Sequence, residues 1–355
     1  MNSECLGDSI QRGRELSKSI SALHEDIIQT HIFTRLDGAA LASVGCASSQ
    51  LHALSTGDKL WQQICNETWP STADPTISCV ISTMPAGHRS FYYDAFPNLH
   101  RRCSTRIGQS AHKLTRTLEL SKENPCLKHP PQTSTLISAV DIHYQNKIVL
   151  SKIHETETGT GWFLSSPFRV DLLDPKETIS NTPAKFHGCE KTLESELENN
   201  LALSWILIDP ARKQAANFSS LRPVSVTRHW ITADVQVRYA TILLDSFLCT
   251  VVVTCGADVL QPKEVSFHVE DMEGRNLSGR ESLEILEEVM ESGQRRKKGG
   301  NERRDEREMY MDFVRMKEEM SERKQRRERR VDFVFIATVV TIFVAWVVIL
   351  LKRYS

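Results

Sequence analysis

The sequence predicts an α+β protein built from a small helical module, a helical connector, an antiparallel β-sandwich-like domain, a charged helical stalk and a single C-terminal transmembrane helix. Three observations carry this prediction: apolar residues at helical spacing near the N-terminus, a long series of strand-like segments separated by turns, and an uncharged apolar run near the C-terminus. The formal net charge of −1 over 355 residues does not suggest a nucleic-acid partner.

The helical module is predicted over residues 20–70. The preceding residues, 1–19, have no apolar run, so they are expected to be disordered and not to act as a signal peptide. Within the module, Asp37-Gly38 ends the first helix, Ser48 or Ser49 can cap the third, and Asp58 caps a last turn. A unit of about 45 residues is small for an independent core, so it needs a partner surface or a neighbouring domain.

The order of apolar residues in this module resembles an F-box, and the most specific part is the closing Leu60-Trp61 after a capped turn. The resemblance implies docking onto the Skp-type adaptor of cullin-based ubiquitin ligases. It implies these adaptor-binding residues: Leu23, Ile27, Ile28, Ile32, Leu36, Leu41, Val44, Leu51, Leu54, Leu60 and Trp61.

Residues 61–71 and 87–92 extend the resemblance to a plant F-box subfamily, in which the F-box precedes a β-rich domain and a C-terminal hydrophobic segment. His24 departs from the motif, which usually has proline after the first leucine. Proline presets φ for the first helical turn, so its replacement is expected to reduce adaptor affinity. The alternative interpretation is a small three-helix unit packed only on the rest of this chain.

The connector is predicted over residues 71–133 and is punctuated by prolines, with loop composition in 121–133. It contains aromatic residues beside arginines: Phe91, Tyr92, Tyr93, Phe96, Arg89, Arg101 and Arg102. Such interleaving can indicate binding of single-stranded nucleic acid. Packing of a connector helix against a neighbouring domain is the favoured interpretation.

The β-rich domain is predicted over residues 134–292 and is expected to be the substrate-binding domain, which would hold a target. Strand-like segments fall at 136–142, 147–153, 162–164, 168–173, 201–208, 224–226, 235–244, 248–254 and 265–269, with a final helix at Gly279–Ser292. Because no helical patterns intervene between the strands, an antiparallel sandwich or jelly roll is expected.

A ligand of this domain would bind a candidate pocket of Trp162, Trp205 and Trp230, although tryptophan in a β domain is more often part of the core. The strand layout resembles in shape the β-sandwich of plant F-box proteins with a phloem-lectin domain, which does not fix function. No catalytic, metal or cofactor site is predicted, because nucleophile-elbow, phosphate-loop, zinc and C-x-x-C motifs are absent. Asp209, Asp234 and Asp245 are isolated carboxylates.

The stalk, residues 293–330, alternates acidic and basic residues and reads as a solvated helix. One interpretation is a spacer, which would reach about 48 Å if it were fully helical from residue 299. The other is a basic segment that lies on anionic lipid. The two interpretations are compatible.

The transmembrane helix is predicted over residues 331–351. The uncharged run 333–351 covers roughly 29 Å, close to a hydrocarbon core, and includes Phe333, Ile336, Val340, Phe343, Trp346 and Leu351. A helix buried in a protein core and an obligate helix of a partner complex are the alternatives. The larger basic cluster precedes the run, so the N-terminal bulk is expected in the cytosol, with residues 352–355 as a short tail. The endoplasmic reticulum is expected rather than the mitochondrial outer membrane.

Together these features predict a tail-anchored, non-catalytic substrate receptor of an SCF-type ubiquitin ligase, linking a Skp-type adaptor, and through it a cullin, to an unknown target for degradation. The alternatives are a membrane-anchored lectin-like or ligand-binding module with a non-functional F-box, and an enzyme, for which no nucleophile–base arrangement is visible.

Overall fold

The computed structural model of the chain describes residues 23–96, 133–173, 184–185, 190–256, 259–292 and 302–354. The predicted disordered segment 1–19, the loop 121–132, Arg101 and Arg102 lie outside these ranges. The helices are α1 (Glu25–Ile27, continued by a π turn at Ile28–Ile32 and a 3-10 turn at Phe33–Arg35), α2 (Gly38–Gly45), α3 (Ser49–Ser55), α4 (Asp58–Thr68), a 3-10 turn (Pro70–Ala73), α5 (Pro75–Ser82), α6 (Gly87–Ala95), α7 (Gly161–Ser165), α8 (Glu190–Asn200), α9 (Gly279–Ser292) and α10 (Glu302–Tyr354).

The strands are β1 (Thr135–Tyr144), β2 (Lys147–Glu157), β3 (Arg169–Asp171), β4 (Ala184–Lys185), β5 (Leu201–Asp209), β6 (Gln214–Asn217), β7 (Ser225–Arg228), β8 (Val235–Leu243), β9 (Phe247–Cys255), β10 (Val259–Leu260) and β11 (Pro262–Asp271). They form a four-stranded sheet in the order β2-β1-β5-β6, a five-stranded sheet in the order β3-β11-β9-β8-β7, and a two-stranded pair β10-β4. All of these pairings are antiparallel, which confirms the predicted α+β class.

Short polar side chains begin the helices of the N-terminal part. The Asp37 carboxylate accepts a hydrogen bond from the Ala40 N–H at 2.7 Å, and the Ser48 hydroxyl accepts one from the Leu51 N–H at 3.2 Å. Both bonds satisfy amide groups that a helix start would otherwise leave without a partner. Ser48, rather than Ser49, is therefore the cap of α3. The prediction that Asp58 caps its own turn is wrong, because Asp58 is the first residue of α4 and accepts from the His88 N–H at 2.9 Å.

The two large sheets pack face to face as a sandwich. Alternate residues of β1 and β5, such as Val140 and Trp205, share a buried cluster with Tyr239 and Phe267 of the other sheet. Helix α9 adds Leu286 and its apolar neighbours to the same cluster. This alternation places one face of each strand in the sandwich core, as expected for period-two side chains.

The opposite face of the four-stranded sheet carries the N-terminal helices. Ile137, Ala139, Ile206 and Ile208 form one buried cluster with residues of α1 to α6. The predicted module and the described part of the connector share this cluster, so from here on the name helical module covers residues 23–96. These residues therefore complete their core on the sheet. A unit this small gains the apolar burial that it lacks alone.

Three details of the predicted β region are wrong. Helix α8 lies between strands where no helix was expected, and residues 162–164 belong to helix α7 rather than a strand. The Thr160 hydroxyl accepts from the Phe163 N–H at 3.2 Å and starts α7, so local capping outweighs the β propensity of Trp-Phe-Leu. Strand β6, Gln214–Asn217, was missed because it contains no β-branched residue.

Helix α10 is continuous from the stalk into the apolar run, but its first part is not a solvated stalk. Phe313 is fully buried with Val224, Ala240 and Leu248 on the outer face of the five-stranded sheet. The Lys317 ammonium pairs with Glu270 at 2.9 Å. The part of α10 that contacts the sandwich runs from Arg307, which pairs with Glu198, to Lys324, which pairs with Glu273, and is called the docked segment from here on. The helical module, the two sheets and the docked segment thus form four successive layers.

Beyond the docked segment, α10 is the one helix among the described residues that is long and apolar enough to cross a membrane. Phe333, Ile336, Val340, Phe343, Trp346 and Leu351 are all exposed on it. A buried core helix would hide such side chains, so the core-helix alternative does not fit this arrangement.

Candidate functional site

The predicted adaptor-binding residues fall into three groups: exposed, partly buried and buried. Leu23, Ile27 and Ile32 are 38%, 44% and 41% exposed. The buried residues are Ile28, Leu41, Leu54 and Trp61, and the partly buried ones are Leu36, Val44, Leu51 and Leu60. Only the exposed and partly exposed side chains are available to a second protein without unfolding the module. We call Leu23, Ile27 and Ile32 the exposed apolar face.

Ile27 and Ile32 of the exposed apolar face lie on a helix whose other side is fixed, and Leu23 lies just before its N-cap residue, His24. Ile28 and Phe33 lie in the module core, and the Gln29 amide donates to the Leu54 carbonyl at 3.2 Å. Phe33 also donates its N–H to the Ile28 carbonyl, which closes the π turn. The apolar face is therefore held in position by buried neighbours, an arrangement that lowers the ordering cost of binding.

His24 replaces the usual proline by serving as the N-cap of α1. Its backbone is extended, with φ −63° and ψ 140°, and its ring nitrogen accepts from the Asp26 N–H at 3.4 Å. Glu25 and Asp26 occupy the first turn, where negative charge suits the positive end of the helix. The start of the helix is thus preserved by a side-chain cap rather than by a proline ring.

Trp61 belongs to the core of the module. Its indole N–H donates to the Ser55 carbonyl at 2.7 Å, and its ring lies 5.3 Å from that of Tyr92. Since Trp61 is 3% exposed, its expected role in direct adaptor contact becomes a role in shaping the module. The tryptophan of the Leu60-Trp61 motif thus stabilises the fold of the module although its side chain is buried.

The connector aromatics pack the module against the sandwich. Phe91 and Tyr92 are buried around Trp69, with Phe91 edge-on at 5.8 Å. The Trp69 indole N–H donates to the Ser204 hydroxyl of β5 at 3.2 Å. These contacts agree with the packing interpretation of the aromatic cluster, although Tyr93 is exposed.

A buried carboxylate also links the module to the sheet. Asp141 of β1 accepts from the Ser71 N–H at 3.0 Å, from the Ser71 hydroxyl at 2.6 Å and from the Ser151 hydroxyl at 2.7 Å. Burial raises the pKa of the Asp141 carboxyl, and these hydrogen bonds act in the opposite direction. No local pattern in the sequence indicates this pairing, because Ser71 and Asp141 are 70 residues apart in the chain.

A Ser–His–Asp series lies inside the helical module. The His88 Nδ1 atom is 3.2 Å from the Asp58 carboxylate, and its Nε2 atom is 3.5 Å from the Ser78 hydroxyl. His88 is buried, and the Gln62 amide donates to Ser78 at 3.0 Å. The separation between serine and histidine is too long for a good hydrogen bond between nucleophile and base. These contacts join α4, α5 and α6, so the series holds helices together.

The three candidate pocket tryptophans do not share one surface. Trp205 is 0% exposed and stacks on Phe267 in the sandwich core, with ring centroids 5.2 Å apart. Trp162 on α7 and Trp230 in the β7–β8 turn are 78% and 87% exposed. A ligand at the surface can reach Trp162 or Trp230 but not Trp205, and the ligand pocket stays a prediction.

Thiol and metal chemistry has little support in the described part of the chain. It contains no group of three or more His, Cys, Asp or Glu side chains placed to hold a metal ion. Burial raises the pKa of the Cys65 and Cys255 thiols to about 12, which keeps them protonated and unreactive.

Comparison with known proteins gives relatives that match most of the chain. It is 40% identical over 323 residues to F-box protein At3g44326 of Arabidopsis thaliana, covering 86% of this chain and 83% of that protein. It is 41% identical over 315 residues to F-box protein At2g27310 of the same organism, covering 84% and 86%. A third Arabidopsis thaliana relative, Probable F-box protein At2g36090, is 43% identical over 291 residues, covering 81% of each chain. No family model and no solved structure matches the chain.

Proposed function

This chain belongs to the plant F-box proteins, and from that premise we propose that it is a membrane-anchored substrate receptor of an SCF-type cullin ubiquitin ligase. F-box proteins generally serve as adaptor-type subunits of SCF ligases. The observation that carries the proposal is the exposed apolar face at the position of the F-box, at the start of a helix whose opposite side is buried.

In this proposal the exposed apolar face binds a Skp-type adaptor, which brings the cullin. Apolar side chains at the centre of an interface typically dominate its free energy. Leu36, Val44, Leu51 and Leu60 are partly exposed and would extend the contact around that centre. Trp61 and Leu41 would act indirectly, by keeping the helices in register.

The sandwich would hold the target protein, and the chain itself would carry no chemistry. Support comes from the shared core between the sandwich and the helical module, which would fix a bound target relative to the adaptor. Such fixation raises the effective concentration of target lysines near the conjugating enzyme, which is how a ligase subunit accelerates transfer without a catalytic residue.

The apolar part of α10 would anchor the receptor in a membrane with the module and sandwich in the cytosol. The exposed apolar side chains and the basic cluster before them support this orientation. We assign the endoplasmic reticulum rather than the mitochondrial outer membrane, because the run is long and strongly apolar. Its targets would then be membrane proteins or proteins recruited to that surface.

The double variant Leu23→Ala with Ile27→Ala tests adaptor docking. Both side chains are exposed, so the fold is expected to survive while adaptor affinity falls roughly tenfold to a hundredfold. The matched control is Ile148→Ala with Ile231→Ala, which removes exposed isoleucines from the sandwich. Affinity is measured with purified adaptor, and thermal unfolding verifies the fold. Unchanged affinity in the first variant, or an equal loss in both, contradicts the proposal.

A lectin-like module with a non-functional F-box is the second candidate. The observation in its favour is the pair of exposed tryptophans, Trp162 and Trp230, since aromatic rings on a surface can stack on a ligand. Binding of the full chain to a glycan array, lost on Trp230→Ala or Trp162→Ala, together with no measurable adaptor binding, would select this candidate.

A further inference from the structure

Most cations along the docked part of α10 are neutralised within the chain. Arg307 pairs with Glu198, Lys317 with Glu270 and Lys324 with Glu273. Three further arginines have partners one turn away on the same helix: Arg315 with Asp312, Arg323 with Glu319 and Arg326 with Glu322. Each of these positive charges already has a counter-ion, so none needs a ligand from outside.

The pattern changes immediately before the apolar run. Arg327, Arg329 and Arg330 are exposed, and no ion pair links them to any acidic side chain among the residues that the structure describes. The segment 323–332 carries six cations against two carboxylates, Glu328 and Asp332. An excess of positive charge therefore accumulates on the last turns before the membrane.

The helical rise fixes the depth of these arginines. Arg330 lies three residues before Phe333, and Arg327 lies six residues before it, which corresponds to about 5 and 9 Å along the helix. The headgroup layer on one side of a bilayer is roughly 5–8 Å thick. The backbones of Arg329 and Arg330 thus lie at the depth of the headgroups, and Arg327 lies at the outer edge of this layer, from which its long side chain can reach a lipid phosphate. At about 100° per residue they project in different directions around the helix.

The end of the sandwich beside these arginines is compatible with an acidic lipid surface. The last docked contact, between Lys324 and Glu273, is nine residues before Phe333, or about 14 Å along the helix. The carboxylates at this end are paired: Glu270 with Lys317, Asp271 with Arg275 and Glu273 with Lys324. The docked helix therefore brings the sandwich close to the bilayer without presenting unpaired acids from this turn.

We propose that Arg327, Arg329 and Arg330 form a binding collar for the headgroups of anionic phospholipids, which surround α10 on its cytosolic side. This inference rests on the proposed membrane anchoring and goes beyond it, because an apolar span alone does not select lipids by charge. Guanidinium groups suit this role, since they stay charged and donate two parallel hydrogen bonds to a phosphate.

The test uses the full chain in vesicles of phosphatidylcholine and phosphatidylserine. A fluorescent reporter is placed at the cytosolic end of the span by Phe333→Trp in a Trp346→Phe background. The five other tryptophans of the chain give a background, which is measured on the Trp346→Phe chain alone and subtracted. Acyl-chain-brominated phosphatidylserine or phosphatidylcholine then quenches the reporter on contact, and the ratio of quenching gives the selectivity for the anionic lipid. We compare Arg327→Gln, Arg329→Gln and Arg330→Gln in one chain with the matched control Arg315→Gln, Arg323→Gln and Arg326→Gln, which removes the same charge from paired positions.

We expect the collar variant, which loses three arginines, to lose at least about fivefold in selectivity for phosphatidylserine, the factor that corresponds to ~1 kcal/mol for one surface arginine. The control should retain its selectivity, and added salt should weaken only the selectivity that the collar provides. Equal selectivity in the collar variant and the parent, or an equal loss in both variants, overturns the collar while leaving the anchor in place. Release of the parent chain from the vesicles by alkaline washing overturns the anchoring and the collar with it.

Discussion

The Asp141 carboxylate of β1 receives two hydrogen bonds from Ser71, one from the backbone N–H at 3.0 Å and one from the hydroxyl at 2.6 Å. Ser71 belongs to the 3-10 turn that follows α4, so this pair joins the helical module to the four-stranded sheet. Trp69, two residues before Ser71, makes a second hydrogen bond to this sheet, to Ser204. The apolar residues of the module and of the sheet also share a core. An adaptor bound to the module, as proposed, would therefore be held in a defined position relative to the sandwich.

Replacing Asp141 by alanine should weaken the contact between these parts. The change leaves the buried Ser71 N–H and the hydroxyls of Ser71 and Ser151 without their acceptor, which should cost about 2–4 kcal/mol of unfolding free energy. Denaturant unfolding of the full chain in detergent measures the loss. Wild-type stability in this variant would show that the carboxylate does not hold the interface.

The pH dependence of stability should reveal the same carboxylate. Burial raises the pKa of Asp141 above its ordinary 3.8, so the folded state holds the proton more tightly than the unfolded state. The stability contributed by protonated Asp141 is then complete below pH 3.8 and is lost as pH rises through the folded-state pKa. Asp141→Asn removes this titration. The unfolding free energy of the wild type, minus that of Asp141→Asn, should therefore fall as pH rises, and a difference that stays flat or rises would contradict the expectation.

The His24→Pro variant should strengthen the start of α1. The backbone of His24 already has φ −63°, which is the value that proline imposes. The gain of about 0.4–1 kcal/mol from reduced freedom of the unfolded chain should exceed the loss of the long cap bond to the Asp26 N–H. Thermal unfolding and adaptor affinity are both measured. Higher stability with weaker adaptor binding would instead identify the His24 side chain as a direct adaptor contact.

The Phe313→Ala variant should release the first part of α10 from the sandwich. Phe313 is the fully buried side chain of this contact, and truncation of a buried phenylalanine typically costs about 3–5 kcal/mol. Hydrogen exchange of amides between residues 306 and 320 should then accelerate on the order of a hundredfold, because local opening becomes easier. Met311→Ala is the matched control, since Met311 is exposed on the same helix. Equal protection in the two variants would show that docking does not depend on Phe313.

Sequence patterns located most strands because prolines and glycines separate them, and β8 agrees with its prediction to within one residue. They could not separate the exposed Ile27 from the buried Ile28, because apolar spacing does not say which surface covers a side chain. The contact of α10 with the sandwich could have been predicted, because Tyr310, Phe313 and Lys317 recur at helical spacing. The many charged residues around them favoured the prediction of a solvated helix instead. The Ser71–Asp141 link and the His88–Asp58 contact depend on long-range packing, which local patterns do not encode.

The start of α9 offers a sharp test of packing in the sandwich. The Ser278 N–H donates to the Glu281 carboxylate at 2.9 Å, and the Glu281 N–H donates to the Ser278 hydroxyl at 3.3 Å, which is a capping box. Between them, Gly279 leaves no space for a side chain, since an added Cβ would lie 2.2 Å from the Phe163 carbonyl oxygen.

Gly279→Ala should therefore destabilise the fold by about 3 kcal/mol, because neither the backbone of α7 nor the capped helix can move without breaking its own hydrogen bonds. Gly161→Ala is the matched control: an added Cβ there meets no atom within 4 Å, and alanine is favoured over glycine in a helix. We expect the control to be as stable as the wild type or more stable by about 0.5–1 kcal/mol. Denaturant titration measures the unfolding free energies of both variants. A Gly279→Ala protein as stable as the Gly161→Ala protein would show that α7 and α9 are not packed this closely.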